Sequence, residues 1–203
     1  MTARSGRQAT FTGEGGTDRG GLFRESLREM CAELQSDGPL RLLLPTPNAR
    51  RALAGAATEW LVNAALRDAE HLAMYEFLGT LMGAALRRGA SLDLDLSPLV
   101  WKPLLAQAPT WADLAAADHA FCAWITAGRA ATEAEWAAGR RVWTVATAAG
   151  PRAELRRGGA SQVVGYSERE AYLAACTAHR LREGRRQASG APQGRLPTRR
   201  GPG

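Results

Sequence analysis

Helix-start signals recur along this 203-residue chain at short intervals, and they divide it into many small elements. Ser97-Pro98 places an N-cap serine before a first-turn proline. Thr110-Trp111-Ala112-Asp113, Thr132-Glu133-Ala134-Glu135 and Ser167-Glu168-Arg169-Glu170 each read as a capping box, in which a hydroxyl and an acid three residues later satisfy free backbone N–H groups. The last of these opens a helix predicted to run to about Gln187. The spacing predicts a mainly helical fold of short helices.

Two helices carry apolar stripes at helical spacing. The first is predicted from about Gly21 to Gln35, with its stripe formed by Phe23, Leu27, Met30, Cys31 and Leu34. The second runs from His71 to Arg88 and ends before Gly89, a residue that tolerates positive φ. Its stripe consists of Leu72, Tyr75, Leu78, Leu81, Met82, Ala85 and Leu86. Gly79 and Gly83 leave one face of this helix bare, so we expect another element to approach closely there.

Short strands complete the prediction. Leu40 to Leu44 reads as a buried strand, because Pro45 and Pro47 cannot donate to a continued sheet. Arg141–Thr147 and Arg152–Arg156 flank an Ala-Gly-Pro turn and predict a hairpin. Residues 49–70 are alanine-rich and are predicted to be helical. The fold class is therefore α+β, mainly helical, with a small β-hairpin.

The excess positive charge of the chain lies near its C-terminus, and the rest of the chain is nearly neutral. Residues 184–203 hold five arginines and no acid, which leaves 21 basic and 20 acidic residues elsewhere. A nearly neutral body argues against a broad nucleic-acid interface, and no specific nucleic-acid partner is predicted. We expect residues 1–17 to form a flexible lead-in, 18–187 one domain, and 188–203 a disordered Arg/Gly/Pro tail.

Membrane insertion and secretion are not expected. The longest apolar helical run, Phe77 to Leu86, is about half of the ~20 residues that a membrane span needs. The N-terminus has no apolar core of a signal peptide. The three cysteines are an odd, widely spaced set, which favours a reducing, intracellular compartment.

Catalytic and metal-binding patterns are weak. Cys31, Cys122 and Cys176 each lie among apolar residues of a helix, which predicts buried, inert thiols with a raised pKa. Cys176 and His179 form the one close pair of metal-ligand types, and no second pair accompanies it. The residues by themselves therefore predict no catalytic centre, no metal and no cofactor.

Several segments do form a recognisable series. In chain order they read GGLFRE (Gly20–Glu25), LLLPTPN (Leu42–Asn48), FLGTLMG (Phe77–Gly83), LDL (Leu92–Leu94), SPLVWK (Ser97–Lys102), WADL (Trp111–Leu114), ELRRGG (Glu154–Gly159) and SEREAY (Ser167–Tyr172). Their order and spacing resemble the N-terminal lobe of a HECT ubiquitin ligase domain. The sequence from Ser97 to Lys102 is most similar to that of large HERC-type members. The family-motif positions, predicted to be structural, are Gly21, Phe23, Pro45, Pro47, Asn48, Phe77, Gly79, Gly83, Leu92, Pro98 and Tyr172.

The resemblance implies a partial HECT domain and thioester-mediated transfer of ubiquitin to substrate lysines. Its partners in the full-length context are ubiquitin and a ubiquitin-conjugating enzyme, although most of the docking subdomain is missing here. The family's catalytic cysteine belongs to a C-terminal lobe that this chain lacks, so catalytic residues are predicted to be none and the chain alone to be inactive. The implied location is cytoplasmic, nuclear or both.

Two other functions remain open from the sequence. The chain is alternatively a non-enzymatic binding module that competes with full ligases for partners. The arginine-rich tail is a third possibility, as a nonspecific nucleic-acid contact with steep salt dependence.

Overall fold

The computed structural model describes residues 21–52, 58–183 and 185, except the side chains of residues 22 and 23. The predicted lead-in 1–17 and tail 188–203 lie outside this part. The helices in the described ranges are α1 (Gly21–Leu34), α2 (Pro47–Arg50), α3 (Ala69–Arg88), α4 (Pro98–Leu104), α5 (Trp111–Ala117), α6 (His119–Ala130), α7 (Glu133–Ala138) and α8 (Arg169–Arg182). The strands there are β1 (Leu43–Pro45), β2 (Trp60–Val62), β3 (Thr144–Ala146) and β4 (Arg152–Glu154). Two 3₁₀ turns, Gly159–Ser161 and Tyr166–Glu168, precede α8.

The first sheet corrects one prediction. β1 and β2 pair antiparallel, with Leu43 opposite Val62 and Pro45 opposite Trp60. Residues 49–70 are therefore wrongly predicted as a helix: residues 53–57 lie outside the described part, and Trp60–Val62 is a strand. The strand itself contains no alanine: aromatic and β-branched residues such as Trp60 and Val62 suit a strand, and pairing with β1 satisfies backbone groups of both strands.

The second sheet is the predicted hairpin. β3 and β4 pair antiparallel, with Thr144 opposite Glu154 and Ala146 opposite Arg152. Gly150 occupies the connecting turn at φ 109°, a conformation that side chains disfavour. The prediction of a hairpin at this position is confirmed.

Two clusters of buried residues form the core. One gathers Cys31 of α1, Leu43 and Leu61 of the first sheet, and Leu78 of α3 with Leu114 of α5. The other packs around the hairpin and α8 and includes Ile125, Trp136, Trp143, Val145, Val164, Tyr172, Leu173 and Cys176. Helix α6 contributes to both, since Cys122 belongs to the first cluster and Ile125 to the second. The expected mainly helical α+β class is confirmed.

The helix boundaries follow their caps at most positions. Thr110 and Thr132 form the two predicted capping boxes, at the starts of α5 and α7. α4 ends one residue after Pro103, as expected for a proline inside a helix. The third predicted box is wrong: Ser167 lies in a 3₁₀ turn and α8 begins at Arg169. There the Glu168 carboxylate accepts a hydrogen bond from the Gly165 N–H at 3.4 Å instead.

The apolar stripes predicted on α1 and α3 include residues that are exposed in the structure. On α1, Leu27 and Cys31 are buried but Met30 is exposed, and on α3 Leu72 and Leu86 are exposed as well. These residues lie at the edges of the stripes, away from the side chains that reach the core. A Cβ at Gly83 would meet only the Arg87 guanidinium, at 3.6 Å, so the expected close approach of another element does not occur at Gly83 in the described part.

The described helices include none with the length and hydropathy that a bilayer span requires.

Candidate functional site

Asn48 connects α2 to the junction between α5 and α6. Thr46 caps α2 through its hydroxyl, and Pro47 occupies the first helical turn. This places the buried Asn48 amide so that Nδ2 donates to the carbonyls of Ala115, at 3.2 Å, and Ala116, at 2.7 Å. Its Oδ1 accepts a hydrogen bond from the His119 N–H at 2.9 Å. One side chain thus satisfies backbone groups at the end of one helix and the start of the next.

Replacing Asn48 with alanine is expected to lower the free energy of unfolding by about 2–3 kcal/mol, because buried backbone acceptors and a donor lose their partner. Urea unfolding followed by tryptophan fluorescence measures this loss. Gln107→Ala, which removes an exposed amide, is the matched control and is expected to change stability by less than ~0.5 kcal/mol. Equal effects of the two variants would contradict the role assigned to Asn48.

A buried ionic network lies beside this junction. Arg180 of α8, which is 5% exposed, donates to Asp118 at 2.7 Å and to Glu183 at 2.9 Å. Asp118 also caps α6 by accepting from the Phe121 N–H at 3.2 Å, and it pairs at 3.3 Å with Arg51, the residue after α2. Three helices, α2, α6 and α8, are therefore tied together at one carboxylate.

The same network reaches the hairpin. The second oxygen of the Glu183 carboxylate accepts a hydrogen bond from the Ala148 N–H at 2.7 Å, and Arg50 of α2 donates to the Ala148 carbonyl. Sequence reasoning missed this network. The signal for it was present, since Arg180 falls four residues after Cys176 and eight after Tyr172, on the buried face of α8.

Tyr172 lies at the centre of the second core. Its ring makes edge-to-face contacts with Trp124, Trp136 and Trp143 at centroid distances of 6.2, 6.1 and 5.6 Å. Its hydroxyl donates to the Thr144 carbonyl of β3 at 2.9 Å. Burial raises the pKa of Tyr172 well above its usual value. The phenol therefore stays neutral and acts as a packing and hydrogen-bonding group.

The SPLVWK segment joins the first sheet to α5. Ser97 N–H donates to the Trp60 carbonyl at 2.9 Å, and Pro98 then opens α4. Lys102 Nζ reaches the Asp113 carboxylate at 2.6 Å. Burial opposes ionisation of Asp113, but the hydrogen bonds from Lys102 and Thr110 outweigh it and hold the pKa of this carboxyl below its usual value.

The remaining family-motif positions do not converge on these sites. Pro45 ends β1 opposite Trp60, and Leu92 packs partly buried against the first core. Phe77 is 61% exposed, and Gly79 and Gly83 lie on α3. Gly21 is exposed at the start of α1, and the side chain of Phe23 lies outside the described part. The motif positions are thus scattered: Pro47 and Asn48 lie at one junction and Tyr172 in the second core, whereas Gly21 and Phe77 are exposed.

The chain's cysteines match their predicted chemistry. Cys31, Cys122 and Cys176 are buried and unpaired in disulfides. Burial raises the pKa of Cys31, and it raises the pKa of Cys122 and of Cys176 to about 11. A thiol with so high a pKa is a poor nucleophile near neutral pH. Within the described ranges, no three ligand-type side chains cluster around a position where a metal ion could bind.

Alkylation tests this assignment. At pH 8 a pKa of about 11 in place of 9.0 leaves about a hundredfold less thiolate on Cys122 and Cys176. Iodoacetamide is therefore expected to label the native chain far more slowly than the chain in urea, as followed by mass spectrometry. Rapid labelling of any cysteine in the folded chain, at the rate of glutathione, would contradict it.

Comparison with known proteins identifies a family. The model of the HECT domain, described as a ubiquitin-transferase, matches residues 29–191. The chain is 39% identical over 147 residues to the mouse E3 ubiquitin-protein ligase HERC2, covering 71% of this chain and 3% of that protein. It is 30% identical over 195 residues to the human probable E3 ubiquitin-protein ligase HECTD4, covering 85% of this chain and 5% of that protein. The chain therefore spans a small fraction of the length of these relatives.

Proposed function

Because this chain belongs to the HECT-domain (ubiquitin-transferase) family, we propose that it is the scaffold part, an N-terminal lobe portion, of a ubiquitin ligase. The match over residues 29–191 carries the proposal. In this role the chain supplies a platform built from two cores that share α6. The reaction is transfer of ubiquitin through a thioester to substrate lysines, completed by a cysteine outside this chain.

The chemistry of the cysteines supports a nucleophile located elsewhere. A thioester-forming cysteine must be accessible and must ionise near neutral pH. Cys31, Cys122 and Cys176 are buried, and burial raises the pKa of each thiol. None of the three fits the role of the catalytic residue.

Exposed apolar side chains support further contacts of the platform. Trp101, Leu104 and Leu105 follow one another at i, i+3 and i+4 near the end of α4, and all are 36% exposed or more. A grouped apolar surface of this kind favours contact with more polypeptide. We infer that other parts of a longer ligase, ubiquitin or a ubiquitin-conjugating enzyme cover such surfaces, inside the cytoplasm or nucleus.

An immunoblot tests whether the chain is part of a longer ligase. An antibody raised to residues 71–100 is expected to detect an endogenous protein far above 21.7 kDa. A band at 21.7 kDa would contradict that proposal and favour the non-enzymatic binding module.

A thioester assay tests the chemistry. The endogenous protein, captured with the same antibody and given activating enzyme, conjugating enzyme and ubiquitin, is expected to form an adduct that a reducing agent removes. The isolated 203-residue chain is expected to form none. An adduct of this kind on the isolated chain would overturn the assignment of the nucleophile to another segment.

A further inference from the structure

A cleft of about 700 Å³ opens where α2, α6, the hairpin and α8 meet. Its volume lies within the range of clefts that hold ligands, roughly 300–1,000 Å³. The family-motif residues Pro47 and Tyr172 contribute to its wall. None of the steps proposed above for ubiquitin transfer uses this cleft.

The charged side chains of the cleft are nearly all cationic. Asp118 is the one acid among its described lining residues. The basic side chains there are Arg50, Arg51, Arg140, Arg141, Arg152 and Arg180. In contrast, the chain outside residues 184–203 carries almost equal numbers of basic and acidic residues, so the cleft concentrates positive charge.

The one acid is already neutralised. Asp118 pairs with Arg180 at 2.7 Å and with Arg51 at 3.3 Å. Arg180 is buried and also pairs with Glu183 at 2.9 Å, so Arg51 and Arg180 are balanced by two carboxylates. In the described part of the cleft wall, no further carboxylate is therefore left to pair with the other guanidinium groups.

Most of the other arginines in the cleft donate hydrogen bonds to uncharged groups. Arg50 donates to the Ala148 carbonyl and Arg141 to the Trp136 carbonyl, while Arg152 donates to the Thr144 hydroxyl and carbonyl. In the described ranges, no ion pair within 4.0 Å joins these three side chains or Arg140 to a carboxylate. Like charges around a cleft repel one another and attract an anion, and low-dielectric walls strengthen that attraction.

Apolar side chains line the same cleft. Phe121, Trp124 and Val145 contribute to its wall beside the arginines. A small inorganic anion would use the guanidinium groups but leave this apolar surface uncovered. A polypeptide that carries both acidic and apolar side chains matches both parts of the lining.

We propose that this arginine-lined cleft binds an acidic segment of a partner protein, with its carboxylates on the guanidinium groups and an apolar side chain against Phe121 and Trp124. The chain itself offers little to fill the site. Its undescribed residues contain only two acids, Glu14 and Asp18, and none in 186–203. The proposal is separate from ubiquitin transfer, because binding is measured without ubiquitin or a conjugating enzyme.

Fluorescence anisotropy of the full 203-residue chain tests the proposal. The probe is a labelled peptide in which pairs of glutamates flank single leucines, and the control probe has glutamine at every glutamate. Arg50→Gln combined with Arg140→Gln is expected to weaken binding of the acidic peptide about tenfold, since two ion pairs are lost. Arg24→Gln combined with Arg157→Gln removes the same charge at exposed sites outside the cleft and is expected to change Kd less than about twofold.

Circular dichroism verifies that both double variants fold before binding is compared. Binding that weakens with salt and with the cleft variant alone supports the proposal. Three results would overturn it: equal binding of the glutamine probe, equal losses in both variants, or displacement of the peptide by an equimolar amount of tripolyphosphate. The last result would assign the cleft to phosphate groups instead of carboxylates.

Discussion

Replacing Arg180 with methionine is expected to lower the free energy of unfolding by about 3–5 kcal/mol, because it removes the buried cation that Asp118 and Glu183 share. Arg180 is 5% exposed and contacts both Asp118 and Glu183. Methionine keeps an unbranched apolar stem near Phe121, whose ring lies 5.2 Å from the Arg180 guanidinium carbon. Urea unfolding, followed by circular dichroism, measures the loss.

Two further variants separate charge from packing. Arg182→Met changes an exposed arginine of the same helix and is expected to cost less than ~0.5 kcal/mol. Adding Asp118→Asn and Glu183→Gln to Arg180→Met is expected to recover much of the loss, since no uncompensated buried charge remains and an asparagine side chain at position 118 still caps α6. A triple variant no more stable than Arg180→Met would contradict the electrostatic explanation.

Local signals predicted the elements whose structure is determined nearby in the chain. The capping boxes at Thr110 and Thr132, the stop at Gly89 and the hairpin around Gly150 each depend on residues within a few positions of one another. The helix wrongly predicted over residues 49–70 has a non-local cause. Trp60–Val62 pairs with β1, and the alanines that flank this three-residue strand carry no sign of that pairing.

The sites depend on contacts that are distant in sequence. Asn48 meets residues 67 to 71 positions away, and Arg180 meets Asp118 62 positions away. Resemblance to the family marked Asn48 and Tyr172 as structural positions without giving their partners. The arginine-lined cleft was hidden for another reason: a nearly neutral body gives no sign that its arginines gather on one wall.

Replacing Tyr172 with alanine is expected to destabilise the chain by about 3–5 kcal/mol, the range for removing a fully buried aromatic ring. Tyr172 is 1% exposed and contacts three tryptophans edge to face. Removing the ring leaves a cavity between α8 and the hairpin and also frees the Thr144 carbonyl. Thermal unfolding monitored by tryptophan fluorescence reports the change, because Trp124, Trp136 and Trp143 surround the cavity.

Tyr172→Phe separates the contribution of the hydroxyl group from that of the aromatic ring. The ring and its aromatic contacts remain, while the hydrogen bond to the Thr144 carbonyl at 2.9 Å is lost, so a cost of about 1–2 kcal/mol is expected. Tyr166→Ala removes a tyrosine that is 37% exposed and serves as the matched control, with an expected cost below ~1 kcal/mol.

If Tyr172→Phe were as destabilising as Tyr172→Ala, the hydroxyl and not the packed ring would hold α8 against β3. If Tyr166→Ala were as destabilising as Tyr172→Ala, the loss would not be specific to the buried ring. We expect Tyr172→Ala to be much less stable than Tyr172→Phe, and Tyr172→Phe to be less stable than the parent chain. This order of stability assigns most of the stabilisation to the ring, which joins α6, α7 and the hairpin to α8.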